Sequence, residues 1–153
     1  MTWGNHRHHS LNSLLDGLSQ TLMLSENVRA GYDAAKGTDW ASAGPLYNSF
    51  FLSGYVCKNA SCSSANVDYL KANDHAGGPW SFEAINAALT EPEGQAPWPS
   101  SYHLGGVHVL FADGRLHFLS ENVAGPVYAS LFSPQGTIVQ GPLAQPVAGD
   151  DAY

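Results

Sequence analysis

From Trp98 to Glu121 the chain reads W-P-S-S-Y-H-L-G-G-V-H-V-L-F-A-D-G-R-L-H-F-L-S-E, and this stretch decides the fold. Apolar side chains alternate on both sides of Asp113-Gly114 with the period of two that is typical of β-strands. Asp-Gly tolerates the positive φ angles of a two-residue hairpin turn, so the sequence predicts a β-hairpin closed by this dipeptide. The cross-strand pairs expected on its core face are Phe111–Leu116, Val109–Phe118 and Val107–Ser120.

Length and composition favour a single domain of the α+β class. The 153 residues are enough to bury a core, and only 12% of them are charged, whereas Gly and Pro number 16 and 9. We expect an antiparallel sheet of about four to six short strands, with short helices and long loops. The globular domain should span residues 1–140, and the Pro/Ala/Gly-rich residues 141–153 should form an extended C-terminal tail.

The net charge of −7 argues against nucleic acid as a partner, because phosphates require a basic surface. It also argues against electrostatic attachment to anionic lipid, and an acidic surface is only weak evidence for Ca²⁺. No apolar run approaches the roughly 18 residues of a membrane-spanning helix, and Met1 leads into a polar, His-rich segment. We therefore expect no membrane contact by these residues, and either an excised head domain or a truncated product.

Weaker local signals precede the hairpin. Ser10 is a plausible cap for a short helix that stops at Asp16-Gly17. Thr21 to Val28 is predicted as a strand with Leu22 and Leu24 on one face.

Two further segments carry helical spacing. Ser81 to Leu89 is predicted as a short helix that begins at a serine cap. Beyond the hairpin, Pro126 fits the first turn of a helix, where a missing N–H costs least. The buried stripe of that helix is predicted to be Val127, Tyr128, Leu131 and Phe132.

Cys57 and Cys62 are the only cysteines, and K-N-A-S separates them. An even count in a short polar loop favours a local disulfide outside the cytoplasm, with two free thiols as the alternative. So short a loop would contribute only modestly to stability, because the entropy of loop closure grows with loop length.

The histidines and Asp113 are the candidates for chemistry. Imidazole and carboxylate groups are natural ligands of Zn²⁺ or Fe²⁺, and the predicted register places His108 and His117 on one face of the hairpin. With His103 and Asp113 they would form a metal or acid–base site. Against this, the spacing matches no zinc signature such as H-E-x-x-H, and Asp is favoured in turns for conformational reasons. The N-terminal tract of His6, His8 and His9 is interpreted as an exposed lead-in, with metal binding as the alternative.

A structural role is the preferred interpretation of His103. It precedes Gly105-Gly106, where the backbone can bend or approach another segment closely. A buried imidazole that is hydrogen-bonded to a loop carbonyl would fix that bend without any ligand.

The same stretch resembles a known family. His103, nine residues and then Asp113-Gly114, within P-S-S-Y-H-x-G-G-V-H-V-L-F-A-D-G-R-x-x-F-L-S, are similar to the C-terminal signature of a large bacterial prepilin-type family. Other segments that resemble the family are residues 16–22 (D-G-L-S-Q-T-L), Glu26 and residues 126–136 (P-V-Y-A-S-L-F-S-P-Q-G). Leu104 departs from the pattern, because most members have Pro there, and the family's leader and long apolar helix have no counterpart.

This resemblance implies a pilin- or pseudopilin-like head domain that is extracytoplasmic. In such heads the long N-terminal helix covers one face of the sheet, so without it that face needs another cover. The implied function is a non-catalytic structural subunit that assembles with copies of itself or with other pilin-like subunits into a filament or a secretion or pilus apparatus. The resemblance gives His103, Asp113 and Gly114 no catalytic role, and it allows Ca²⁺ in a C-terminal loop, as in pseudopilin heads.

Two other functions stay open at the level of sequence. A metal-dependent hydrolase would require His103, His108, His117 and Asp113 to converge on one point. A carbohydrate- or surface-binding module would instead show Trp40, Trp80 or Trp98 lining an exposed groove.

Overall fold

Within the residues that a computed structural model of this protein describes, the regular framework consists of five short strands and one α-helix. The structure describes residues 10–29, 50, 52, 56–57, 67–68, 72–75, 81–138, 145 and 149. The strands and the helix are β1 (Leu22–Ser25), β2 (Val56–Cys57), β3 (Val67–Asp68), β4 (Gly106–Phe111), β5 (Leu116–Ser120) and α1 (Gly125–Leu131). Single 3-10 turns lie at Leu11–Ser13, Leu18–Gln20, Ser81–Glu83 and Gly136–Ile138.

The main sheet is antiparallel and has the order β1-β4-β5, and β2 and β3 form a separate antiparallel pair. A small three-stranded antiparallel sheet with one helix is consistent with the predicted mixed α+β class. The described residues therefore contain one sheet of three strands and one of two, where a single larger sheet was expected. None of the helices in these residues has the length and apolar character that a membrane span requires.

Parts of the predictions fall on residues outside the described ones. The predicted Cys57–Cys62 disulfide is among them, because Cys62 is not described. Trp40, Trp80 and the His-rich tract at residues 6–9 also lie outside. The division into a domain at 1–140 and a tail at 141–153 stays a prediction, since the tail is described only at residues 145 and 149.

The predicted hairpin is present, but its register differs by one residue from the prediction. Gly114 N donates to Phe111 O at 2.9 Å and Phe111 N donates to Arg115 O at 3.0 Å, so the loop has three residues. Gly114 has a φ of +87°, which suits the last position of a three-residue loop that ends in a bulge. The prediction of a two-residue turn was wrong, because Gly114 in its left-handed conformation closes a loop of three residues.

The shift of one residue reverses the two faces of β5, since neighbouring side chains on a strand point to opposite faces. Leu119 is fully buried, whereas Leu116 and Phe118 are 66% and 41% exposed. The predicted burial of Leu116 and Phe118 was therefore wrong. The observed pairs are Gly106–Ser120, Val107–Leu119, His108–Phe118, Val109–His117 and Leu110–Leu116.

A bulge in β1 moves Leu24 away from the core. Leu22 pairs with Phe111 and Leu24 pairs with Leu110, so Met23 is an extra residue on β1. Leu22 is buried, but Leu24 is 58% exposed. The prediction that Leu22 and Leu24 share a face was wrong, because the extra residue breaks the alternation.

Helix α1 supplies much of the core, as its predicted stripe indicated. Tyr128 and Leu131 are fully buried, and Val127 and Phe132 are partly buried against the same cluster. Pro126 stands in the first turn of the helix, as expected. The other members of the core cluster are Leu22, Ala72, Ile85, Val107, Val109, Phe111, Leu119, Val123 and Ala129.

The predicted helices near Ser10 and Ser81 are each reduced to one 3-10 turn. Ser10 makes no side-chain cap, and the carboxylate of Asp16 instead accepts a hydrogen bond from Thr137 N at 3.0 Å. It also accepts hydrogen bonds from Gly136 N and from the Thr137 hydroxyl. Tertiary hydrogen bonds from the end of the domain thus hold this segment, so local helix signals do not decide its structure.

The turn glycine generates the first prediction. Gly114→Val should lower the free energy of unfolding by at least about 1–2 kcal/mol, because a β-branched residue is strained at positive φ. A Cβ at this position meets nothing within 4 Å, so the cost comes from the backbone conformation alone. Gly114→Asn is the matched control, since Asn tolerates the left-handed region and should cost clearly less. Equal losses for both variants in urea unfolding would contradict this explanation.

The buried phenol of Tyr128 makes stability depend on alkaline pH. Its hydroxyl has no hydrogen-bond partner among the residues that the structure describes. Burial, with the negative charge of Glu83 as a second cause, raises the pKa of Tyr128 above its ordinary value of 10.0. The folded state therefore retains a proton that the unfolded state releases above that value, so this contribution to stability is lost as the pH rises.

Tyr128→Phe should accordingly be at least as stable as the wild type at neutral pH, because it removes a buried hydroxyl without a described partner. The variant should also lose less stability than the wild type when the pH is raised to about 11. Urea unfolding of both proteins at the two pH values measures the difference. Identical pH dependence in the two proteins would show that Tyr128 does not carry the effect.

Candidate functional site

The structure separates the four residues that the sequence grouped into a metal or acid–base site. His108 lies on the exposed face of β4, whereas His117 pairs with Val109 on the opposite face of the hairpin. His103 precedes β4 and Asp113 follows it, so the length of a six-residue strand, about 20 Å, lies between them. Of the predicted group, the structure brings together only His103 and His108.

Glu26 completes this pair into a cluster of three. Its Oε1 atom lies 3.3 Å from His103 Nε2, and its Oε2 atom lies 3.4 Å from His108 Nδ1. The two imidazole rings are perpendicular, with centroids 4.9 Å apart. One potential ligand atom from each of the three side chains lies within 4.8 Å of the other two. Among the described residues this is the one such group of three histidine, cysteine or acidic side chains.

Glu26 reaches this position because β1 separates from β4 at this residue. Glu26 N still donates to His108 O, at 3.1 Å, but Glu26 O accepts a hydrogen bond from Ser100 N instead of His108 N. The carboxylate takes over the missing ladder bond, since its Oε2 atom accepts from His108 N at 2.8 Å. The side chain therefore occupies a place that a backbone carbonyl has in a regular sheet.

Hydrogen bonds around Ser101 shape the loop that carries His103. Ser101 Oγ donates to Gly106 O at 2.7 Å and accepts from His103 N at 3.1 Å. Ser101 N donates to the side chain of Asn86 at 2.8 Å. Gly106 allows the chain to pass β5 closely, because a Cβ there would lie 2.1 Å from Leu119 O. This loop holds His103 beside the start of β4.

The environment of His103 differs from the prediction. Its side chain is 56% exposed, and its partner is the carboxylate of Glu26. The prediction that His103 is buried and hydrogen-bonded to a loop carbonyl was wrong. The side chains of Ser101 and Asn86 already make hydrogen bonds with the backbone groups of this loop. Hydrogen bonds of Ser101 and Asn86 hold the bend before β4 without the imidazole of His103. The contact of His103 with Glu26 therefore does not serve to fix this bend.

Asp113 and His117 have local roles. Asp113 Oδ1 accepts a hydrogen bond from Arg115 N at 2.8 Å, which stabilises the turn. His117 is half-buried, with its ring 6.4 Å from that of Phe111. Of the three tryptophans that were considered for a binding groove, the structure describes Trp98. This side chain is partly buried and has an interaction partner.

Sequence reasoning noted Glu26 only as part of a family resemblance and did not propose it as a ligand. Glu26 and His108 are 82 positions apart, and local alternation carries no information about such a contact. The one usable signal was a single acidic residue within the predicted strand from Thr21 to Val28. That signal cannot say which distant histidine it will meet.

A comparison with protein families gives one match. Residues 1–125 match the family described as "Protein of unknown function (DUF1559)". The chain belongs to this family. No curated protein and no solved structure matches the chain. The family is bacterial, and its relationship to prepilins stays a prediction from the resemblance.

The DUF1559 match contains the whole three-stranded sheet and all three residues of the cluster. It ends at Gly125, where α1 begins. The elements that position Glu26, His103 and His108 therefore lie within the family's own segment. The helix that completes the core lies almost entirely beyond it.

The hydrogen bond from His108 N generates a prediction about Glu26. Glu26→Ala should lower the free energy of unfolding by about 1 kcal/mol, since the backbone N–H loses its acceptor and the site is half-open to water. Glu26→Gln is the control, because its amide oxygen can still accept this bond without a charge. Urea unfolding at neutral pH compares the two variants. A loss in the Gln variant as large as that in the Ala variant would show that charge, and not the hydrogen bond, stabilises this position.

Proposed function

We propose that this protein is a non-catalytic structural subunit. In this proposal it is an extracytoplasmic, pilin-like head that assembles with copies of itself, or with other pilin-like subunits, into a filament or a secretion or pilus apparatus. The observation that supports the proposal most strongly is the apolar outer face of the main sheet, which we define by Leu24, Leu110, Leu116 and Phe118.

These four side chains lie on the same face of the sheet. Leu24, Leu110 and Leu116 make a row across the three strands, because each is the cross-strand partner of the next. Neighbouring strands lie about 4.8 Å apart, so the side chains of the row are close enough to present one apolar patch. Leu24 is 58% exposed and Leu116 is 66% exposed. An open groove of about 310 Å³ lies along the row and reaches Glu26 and His108.

An uncovered apolar sheet face is typical of an interaction surface. Full burial of a large apolar side chain contributes about 1.5–3 kcal/mol. Leu24, Leu116 and Phe118 are each roughly half exposed, so their burial on two facing subunits would contribute roughly 5–9 kcal/mol. The loss of translational and rotational freedom on association costs about 4–15 kcal/mol. The outer face alone therefore supports weak, reversible association, which suits a subunit that is held by several neighbours.

The loop before β4 adds a second apolar contact element. Tyr102 is 73% exposed and Leu104 is 97% exposed, so both project from the surface beside His103. Large aromatic and apolar side chains in such positions are typical of interface cores. Together with the outer face, this loop gives the subunit two contact surfaces.

The charge distribution is compatible with this kind of contact. The net charge of −7 makes two copies repel each other. Within the outer face and its groove, however, Glu26 is the one acidic residue among the lining residues. Added salt screens the long-range repulsion and leaves the apolar attraction, so association should strengthen as ionic strength rises.

Sedimentation velocity over a wide concentration range tests the proposal. The wild type should form larger species as concentration and salt rise, and Leu116→Asp or Leu24→Asp should shift the equilibrium towards monomers by at least about tenfold, since a charge would be buried in the contact. Leu11→Asp is the matched control, because Leu11 is as exposed as Leu24, at 58%, but lies outside the sheet.

A wild type that stays monomeric at every concentration and salt would contradict self-assembly through the outer face. Equal effects of Leu11→Asp and Leu24→Asp would contradict it as well, because they would show a general consequence of added charge.

A further inference from the structure

We propose that Glu26, His103 and His108 form a binding site for a divalent first-row transition metal, with Zn²⁺ as the representative ion. This site goes beyond the proposed structural function, because assembly through the outer face requires no metal. It also differs from the cluster considered from the sequence, since it uses Glu26 in place of His117 and Asp113.

The spacing of the three side chains suits such an ion. Zn²⁺ is bound by imidazole nitrogen and carboxylate oxygen at about 2.0–2.2 Å in tetrahedral geometry. Ligand atoms around one tetrahedral ion are then roughly 3.3–3.6 Å apart. The contacts of Glu26 with the two imidazoles, one through each carboxylate oxygen, measure 3.3 and 3.4 Å, and one ligand atom from each of the three side chains lies within 4.8 Å of the other two. Small rotations of the half-exposed imidazoles suffice to place the three atoms around one ion.

A fixed carboxylate orients the site. The hydrogen bond from His108 N to Glu26 Oε2, at 2.8 Å, holds one carboxylate oxygen beside the backbone of β4. The other oxygen, Oε1, faces His103. Hydrogen bonds that fix the direction of a ligating group in this way are a regular feature of metal sites. The sheet and the Ser101 loop thus preorganise the ligands before any ion binds.

The two imidazoles are available for coordination. Within the part of the chain that the structure describes, the one hydrogen-bonding or ionic partner of either side chain is Glu26. The side chains of His103 and His108 are 56% and 40% exposed, so an ion can enter directly from solvent.

The donor set determines the class of ion. Two imidazoles with one carboxylate suit Zn²⁺, Fe²⁺, Co²⁺, Ni²⁺ or Cu²⁺, whereas Ca²⁺ and Mg²⁺ prefer oxygen ligands alone. Three protein ligands leave at least one coordination position for water or for a donor group from another molecule. His108 neighbours Phe118 on the outer face, with ring centroids 5.1 Å apart, so an ion here would lie at the border of the apolar surface.

Isothermal titration with ZnCl₂ tests the site in the full chain. His6, His8 and His9 are replaced by Ala in every protein of the series, because that tract can itself bind metal. In this background one Zn²⁺ should bind per chain. His103→Ala and Glu26→Gln should each weaken binding by at least about tenfold, since the first removes a ligand and the second replaces an anionic ligand with a neutral amide. His75→Ala is the matched control, because His75 is exposed and lies outside the cluster, and should leave the affinity unchanged.

The absorption spectrum of bound Co²⁺ gives a second readout. Tetrahedral coordination by nitrogen and oxygen should produce visible d–d bands in the background protein, and His108→Ala should abolish them while circular dichroism shows an intact fold. Absence of Zn²⁺ binding in the background protein would overturn the proposal. Binding that His103→Ala and Glu26→Gln leave unchanged would overturn it too. Neither result would bear on assembly, which depends on Leu24 and Leu116.

Discussion

The left-handed conformation of Gly114 is the constraint on which the rest of this structure depends. It closes the hairpin with a three-residue loop, and the loop length fixes the pairing of every residue on β4 with one on β5. A slip of one residue would bury Leu116 and Phe118 and would move Leu119 out of the core. The backbone conformation at Gly114 therefore decides which side chains of β5 face the solvent.

The same register creates both surfaces to which we assign a role. It places Leu110 and Leu116 opposite each other on the outer face, and the bulge at Met23 brings Leu24 into the same row. It also leaves His108 on that face, two positions along β4 from Leu110. Because β1 separates from β4 at Glu26, the carboxylate of Glu26 reaches the backbone N–H of His108 on the side of β4 that faces β1. An apolar row and a His–Glu cluster thus lie side by side on one sheet.

Local patterns predicted the hairpin and α1, but they predicted neither the register of the strands nor the short 3-10 turns near Ser10 and Ser81. Strand alternation and Asp-Gly predict a hairpin, and Pro126 with its apolar stripe predicts α1, because these signals act within a few residues. Asp-Gly is compatible with loops of two or three residues, so the sequence could not choose between the two registers. The contact of Glu26 with His108 could not be predicted either, since its partners are 82 positions apart and meet only after the sheet forms.

Cross-strand nuclear Overhauser effects between Hα protons test the register most directly. In an antiparallel pair, Hα atoms approach closely at the positions without mutual hydrogen bonds, where the Cα atoms lie about 4.5 Å apart. The observed register predicts strong effects between Leu110 and Leu116 and between His108 and Phe118. Strong effects between Val109 and Phe118 would instead show the two-residue turn. In that register Leu116 and Phe118 would be buried in the core and could not form the proposed contact surface, so the result would contradict the account.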